Sequence, residues 1–418
     1  MDLPPRHPFE GPQLASGGDP VARRGPVSLR RGLAWGVLAL ALVGCAPQPV
    51  RTPPPLPPAP GPAPGPDRLG LIPARFDELP GWREDALAQA LPALTRTCDR
   101  LMRQPPEKSI GADGMGGTAA DWHGPCAAAR RLPAHDHETA RTFFEGWFAP
   151  YLVTNNGSAE GLFTGYFEPE LPASRTRSAR FSVPLYGKPK DLVVKGDQIG
   201  RVVGGQLVPY PTRAEIEAGA LGNLAPVIAW LDDAVDAHIL HIQGSGRLRL
   251  EDGMVLRLGV AGTNGHKFVG IGRLMRERGL LDDVSMPSIR TWLKANPTKA
   301  RALMAENPRY VFYRLQEGDG PVGSEGVALT PERSLAVDPR FIPLGVPIFL
   351  DTVEPSGRAL RRLVMAQDTG GAIKGPIRGD FFWGPGEGAF EKAGRMKSAG
   401  RYWVILPRSR SPRVAMMD

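Results

Sequence analysis

The chain has only 3 cysteines among 418 residues, no Cys-x-x-Cys pair, and 7 histidines with no His-Glu-x-x-His pattern. The usual thiol and imidazole signatures of a metal centre are therefore missing, and no metal site is indicated. Aromatic residues make up 7%, and no stripe of alternating basic and aromatic residues occurs, so a nucleic-acid partner is not expected. Gly244-Ser245-Gly246 lacks the third glycine of a dinucleotide fingerprint and runs into a hairpin pattern rather than a helix, which removes the nucleotide reading. Asp368-Thr369-Gly370 has no second Asp-Thr-Gly or Asp-Ser-Gly to pair with. The two-carboxylate site of an aspartic protease therefore cannot be built within one chain. No repeat of fixed period is visible.

What the chain does have begins with an export signature. Arg23, Arg24, Arg30 and Arg31 precede the apolar run Leu33 to Val43, which is too short to span a bilayer comfortably as a mature helix. The run ends in Leu42-Val43-Gly44-Cys45, which resembles the lipobox of bacterial lipoproteins, with Cys45 as the lipidated residue. Residues 1–45 then form the signal peptide. Ala46 rather than Asp follows the cysteine, which favours the outer membrane, with the body on its periplasmic face. Residues 46–67 are a Pro-, Ala- and Gly-rich tether, extended and unable to bury a core. The remaining two cysteines, Cys98 and Cys126, would lie in an oxidising compartment, and a disulfide between them is expected. Closing that loop stabilises by about 3 kcal/mol in the chain-entropy model. The formal charge of +8 suits a polyanionic wall polymer or an anionic leaflet.

The body after the tether is large enough for two domains. Leu87, Leu91, Leu94, Cys98 and Leu101 recur at helical spacing and predict a helix over 84–102, kinked at Pro92. Further helices are expected at 138–149, 268–278, 288–295 and 297–306, the last capped by Asn296. Period-two alternation around Glu251-Asp252-Gly253 predicts a hairpin over 247–258. Strands are expected at 310–315, 334–338, 347–350, 361–366 and 402–406. The run containing His238 and His241 reads as a strand that points them to opposite faces. Helices around many short strands argue α+β, mainly β, with one or two barrels.

The chemistry concentrates near the C-terminus. Asp368 ends one strand and Asp338 another, and Asp380 precedes Phe381, Phe382 and Trp383. A carboxyl beside apolar rings is poorly solvated as an anion, so its pKa rises and it can hold a proton near neutrality. Between the two later acids, Gly370 and Gly371 offer positive φ or close backbone approach to a ligand.

Taken together, five segments resemble the membrane-bound lytic murein transglycosylase A family. They are Gly165-Tyr166-Phe167-Glu168-Pro169, His241 to Gly246, Gly262 to His266, Leu329 to Asp338, and the block from Asp368 to Asp380. The resemblance runs from about residue 70 to 407 in the family's order, and its C-terminal part resembles a three-aspartate module of cell-wall proteins. It implies a double-psi β-barrel large domain with helices, made of 68–168 and 263–410, and a second, smaller β-barrel inserted as 169–262. It implies that Asp380 is the catalytic acid, accompanied by Asp368 and Asp338. Thr164, Tyr166, Gln243, Gly244 and Ser245 match glycan-groove positions, and Lys374 would hold the glycine loop. No cofactor is implied. The expected partners are peptidoglycan glycan strands, the outer membrane through the anchor, and cell-wall synthesis or remodelling proteins. The expected reaction cleaves the β-1,4 bond between N-acetylmuramic acid and N-acetylglucosamine, leaving a 1,6-anhydro end. The alternatives are a conventional muramidase and a non-catalytic peptidoglycan-binding lipoprotein. One departure is visible: Val260 stands where the family usually has a tyrosine, so a ring that would contact sugar is missing there.

Overall fold

A computed structural model of the chain describes residues 65–409. The signal peptide, Cys45 and the tether up to residue 64 lie outside the described residues. Among those described, no helix is long and apolar enough to cross a membrane.

An eight-stranded mixed sheet organises the molecule. Six of its strands close on themselves in the order Lys397–Pro407, Pro347–Val353, Ala359–Asp368, Ser334–Ala336, Arg378–Pro385, Gly161–Glu168 and back to the first. Closure is possible because the strand Lys397–Pro407 serves two partners. Lys397 to Gly400 pairs with Gly161–Glu168, and Trp403 to Pro407 pairs with Phe148–Asn155. Closing the ring in this way leaves fewer unpaired edges. At the seam Gly161 has no alternative, since a Cβ there would sit 2.0 Å from the carbonyl oxygen of Ile377. Leu335, Val337, Phe349, Val364, Phe381 and Val404 fill the core of this unit.

Helices cover that core. The 84–102 pattern resolves into a 3₁₀ turn, Leu87–Ala90, and an α-helix, Leu91–Leu101. Pro92 occupies the first turn, where a missing N–H leaves no bond broken, so it starts the helix and does not kink it. A helix at Ala119–Ala129 had no signal in the sequence, because Gly124 and Pro125 interrupt the pattern. Burial of Trp122 and Cys126 overrides the local preference, and Cys126 is disulfide-bonded to Cys98, with the Cα atoms 5.4 Å apart. A buried ion pair, Arg333 with Asp85 at 2.8 Å, ties the N-terminal layer to the barrel. The same Asp85 accepts the N–H of Leu363 at 2.7 Å.

The later helices fall at Ile271–Glu277, Met286–Ala295 and Pro297–Ala305. Asn296 does not cap the last with its side chain; its Nδ2 turns back to donate to the carbonyl of Trp292 at 2.9 Å.

A second, six-stranded sheet contains the hairpin Gly246–Leu250 and Val255–Thr263, with Arg247 opposite Arg257. An isolated bridge between Gly187 and Tyr313 links its two outer strands. Its edge strand Val311–Gln316 pairs with Val255–Thr263, so a segment beyond residue 262 completes this sheet. A boundary at 262 therefore cuts the sheet short, because the partner of its last strand returns only after three helices. The His238 and His241 segment is also different from expectation. It is a helix, Ala234–Gln243, started by Asp233, whose Oδ1 accepts from the amides of Val235 and Asp236, and stopped by Gly244 at φ +81°. Three residues apart on a helix, the two rings share a face.

Candidate active site

The parallel pairing of Gly161–Glu168 with Arg378–Pro385 places Thr164 directly opposite Asp380 and Tyr166 opposite Phe382. Ala336 flanks Asp380 on its other side. Thr164 Oγ1 donates to Asp380 Oδ1 at 2.5 Å and accepts from Arg378 Nη2 at 2.8 Å. Tyr166 donates to Asp368 Oδ2 at 3.1 Å, and its ring lies 5.1 Å from that of Phe382. Alternate residues of a strand share a face, which is why Thr164 and Tyr166 reach the two carboxylates from the same strand.

The two acids differ in what holds them. Asp380 is pushed up to about 6, chiefly by burial; the Thr164 hydrogen bond and the Arg378 charge oppose the rise, and the nearby Asp368 adds to it. Asp368 is also raised by burial, against hydrogen bonds from Ser324, Thr369 and Tyr166. Its Oδ1 accepts from both the amide (2.9 Å) and the hydroxyl (3.0 Å) of Ser324. Tyr166 titrates well above the usual phenol range, because it is buried beside both carboxylates, and so stays a donor.

Asp338 is not part of this pair. It is buried, and Arg340 donates to it from Nε (3.0 Å) and Nη2 (2.6 Å), while the Gly375 amide donates at 2.8 Å. Despite its burial, these bonds hold Asp338 down at about 2, as a fixed anion. Its role here is to grip the glycine loop. Positive φ occurs at Gly375 (+108°) and not at Gly370 or Gly371. Gly370 instead packs tightly, since a Cβ there would meet Ile373 at 2.6 Å. Lys374 is exposed and makes no hydrogen bond or ion pair with any described residue, so Asp338 rather than Lys374 holds the loop.

Gln243, at the end of its helix, accepts the amide of Phe167 at 3.3 Å, which fixes the helix end to the Tyr166 strand. Gly244 follows in the left-handed conformation, with a hypothetical Cβ 3.4 Å from Val260. Ser245 is half-buried beside them.

Arg378, Ser324 and Glu325 carry parts of the site that the sequence reading did not single out. Arg378 had a legible signal, since it stands two residues before Asp380 and so on the same strand face. Ser324 had none, being 44 positions from Asp368 in the chain. Glu325 is buried and anchors the Ser324 turn, accepting from Thr97 at 2.9 Å and pairing with Arg100 at 3.0 Å. Thr97 in turn accepts from Gln367, which neighbours Asp368. Among the described residues, no group of three or more His, Cys, Asp or Glu side chains is placed to hold a metal ion.

Residues 162–314 match the MltA specific insert domain and residues 333–406 match the 3D domain. The crystal structure of MltA from Neisseria gonorrhoeae, in its monoclinic form, is similar at 34% identity and a TM-score of 0.73. The match covers 82% of this chain and 94% of that one.

The chain belongs to the membrane-bound lytic murein transglycosylase A family.

Membrane-bound lytic murein transglycosylase A of Escherichia coli (strain K12) is 34% identical over 253 residues, which are 58% of this chain and 65% of that protein. The match thus spans just under two thirds of that relative's length. E. coli MltA with bound chitohexaose is similar at 26% identity and a TM-score of 0.61, over 81% of this chain and 94% of that one.

Proposed function

We propose that this protein is a peptidoglycan lytic transglycosylase in which Asp380 alone serves as acid and then as base. The observation that carries the reading is Asp380 itself: a carboxyl held at about 6 by burial and, among the described residues, hydrogen-bonded on one oxygen only. At pH 7 about a tenth remains protonated, far more than for an ordinary Asp, which suits a general acid. The chitohexaose bound to the E. coli relative supports a glycan as the ligand class.

The substrate is the β-1,4 bond between N-acetylmuramic acid and N-acetylglucosamine. Asp380 gives its proton to the glycosidic oxygen as the C1–O bond breaks and positive charge develops at C1. The C6 hydroxyl of the same muramoyl residue forms the new bond to C1, and its proton returns to Asp380. No water enters and no cofactor is needed, and the product ends in a 1,6-anhydro ring. An intramolecular nucleophile held in place has a high effective molarity, so one carboxylate suffices. Asp368, a short way along the same surface, stabilises the developing positive charge when ionised. Thr164, Tyr166, Gln243, Gly244 and Ser245 line the sugar groove. A hydrolase would instead need a second working carboxylate about 5–9.5 Å away. Asp338, committed to Arg340 and the Gly375 amide, is unsuited to that task.

In the same proposal, the closed strand ring is the double-psi barrel of a large domain formed by 68–168 and 263–410, less the strand Val311–Gln316. The second sheet is the inserted small barrel, its 169–262 segment extended by Val311–Gln316. Cys45 carries the lipid that holds the body at the periplasmic face of the outer membrane, close to the glycan strands and to wall-remodelling partners. The direct test of the chemistry is Asp380→Asn assayed on sacculi. Turnover should disappear while glycan binding persists; retained turnover would move the acid elsewhere.

A further inference from the structure

We propose that Arg378, acting through Thr164, decides which oxygen of Asp380 carries the proton. This rests on the assignment of Asp380 as the acid and adds to it a positioning residue.

The argument is one of counting hydrogens. A threonine hydroxyl has a single hydrogen and two lone pairs, whereas a guanidinium only donates. Thr164 Oγ1 accepts from Arg378 Nη2 at 2.8 Å, so that contact takes a lone pair. The hydroxyl hydrogen is thereby free to point at Asp380 Oδ1, 2.5 Å away. With Thr164 donating, Oδ1 accepts, and because the carbonyl oxygen of a carboxylic acid is its better acceptor, this bond favours the proton on the other oxygen. The acid form of Asp380 is therefore protonated on Oδ2. Among the described residues Oδ2 takes no hydrogen bond, and it is not sealed from solvent. It is the oxygen free to meet a substrate.

Arg378 is fixed well enough to impose this order. Its Nη1 donates to the carbonyls of Leu162, at 3.3 Å, and Gly379. The guanidinium is thus held by both strands that carry the pair. Without it, the Thr164 hydroxyl is free to rotate and accept from Asp380, which would let the proton settle on Oδ1, facing the protein. The other charged or titratable groups near Asp380 do not substitute for Arg378. Asp368 is an anion source, Tyr166 donates to Asp368, and Lys397, opposite Thr164 on the neighbouring strand, is exposed. Ala336 on the remaining flank carries no charge.

The test is the pH dependence of kcat/KM for muropeptide release from sacculi, together with ¹³C-carboxyl NMR titration of Asp380. Wild type, Arg378→Gln, Thr164→Val, Thr164→Ser and the Arg378→Gln/Thr164→Val double variant are compared. Loss of the charge and of the enforced donor both raise the carboxyl pKa. The alkaline limb and the NMR midpoint should move up by about one pH unit in each single variant, the low end for losing a nearby opposite charge. The plateau should fall about tenfold, as expected for a mispositioned proton. Thr164→Ser should restore the wild-type limb, and the double variant should lower the plateau little beyond either single one while its limb shifts further, since charge and donor are both gone. A lower plateau with an unmoved limb and midpoint in Arg378→Gln would reduce Arg378 to a structural role and overturn the proposal. If Arg378→Gln does not fold, Thr164→Val decides by the same criterion. Asp380→Asn run alongside separates the two claims: turnover in that variant would sink the acid assignment, whereas an inactive Asp380→Asn with unmoved limbs elsewhere would sink only the role of Arg378.

Discussion

Asp338 accepts the backbone N–H of Gly375 at 2.8 Å, and this bond joins the end of one barrel strand to the glycine loop that follows another. Its carboxylate is held at about 2, below the ordinary aspartate value of 3.8. A depressed acid contributes stability above its unfolded pKa and loses it as pH falls through the folded one. Asp338→Asn should therefore be less stable than wild type at pH 7, by about 1–3 kcal/mol for a buried hydrogen bond to a charged group. The gap should narrow between pH 4 and pH 2. Urea midpoints of both proteins across that range check it, and a gap that does not change with pH would remove Asp338 as an ionised anchor.

Asp380 has the opposite sign. Its folded pKa is raised to about 6 from 3.8, so the charged form is penalised by the fold. Wild type loses stability as pH rises through 6, while an asparagine there does not titrate. Asp380→Asn should be more stable than wild type at pH 8, by an amount on the order of 3 kcal/mol at most. The two should converge toward pH 4. Thermal unfolding at pH 4, 6 and 8 reads this without any substrate, and equal stability at pH 8 would contradict the burial argument.

The disulfide spans 28 residues and lies between two helices under the core. Replacing Cys98 and Cys126 together by serine should cost about 3–4 kcal/mol, from restored freedom of the unfolded chain and two polar groups left in an apolar site. Urea unfolding of the oxidised wild type and of the double variant measures the difference. A difference below about 1 kcal/mol would make the bridge incidental to stability.

Cys45 carries the localisation claim. Cys45→Ala should shift the protein from the membrane fraction to the soluble one with no loss of specific activity. Unchanged fractionation would refute the lipid anchor.

Much of this architecture is legible in the chain because it is encoded locally. The hairpin around Asp252, the strand leading to Asp368 and the apolar face carrying Cys98 each follow from spacing alone. The losses have physical causes. The His238 run looked extended because its start lies in the capping carboxylate of Asp233 and its stop in Gly244, while its interior mixes isoleucine, leucine and histidine. The first half of Lys397–Pro407 has no apolar alternation, since its pairing is imposed by barrel closure. At the site, the motif residues Thr164 and Tyr166 reach Asp380 and Asp368 respectively. Ser324 and Glu325 reach it from a distant turn, through contacts no local pattern encodes. Asp338 holds the loop in place of Lys374, which faces solvent.

The central claim is that an internal hydroxyl, not water, takes the place of the leaving sugar. Mass spectrometry of the muropeptides released from sacculi by purified residues 65–418 tests it most directly. The account predicts products one water lighter than reducing-end muropeptides, the mass of a 1,6-anhydro end. Reducing-end products would contradict it and would require a second carboxylate working with Asp380 on water.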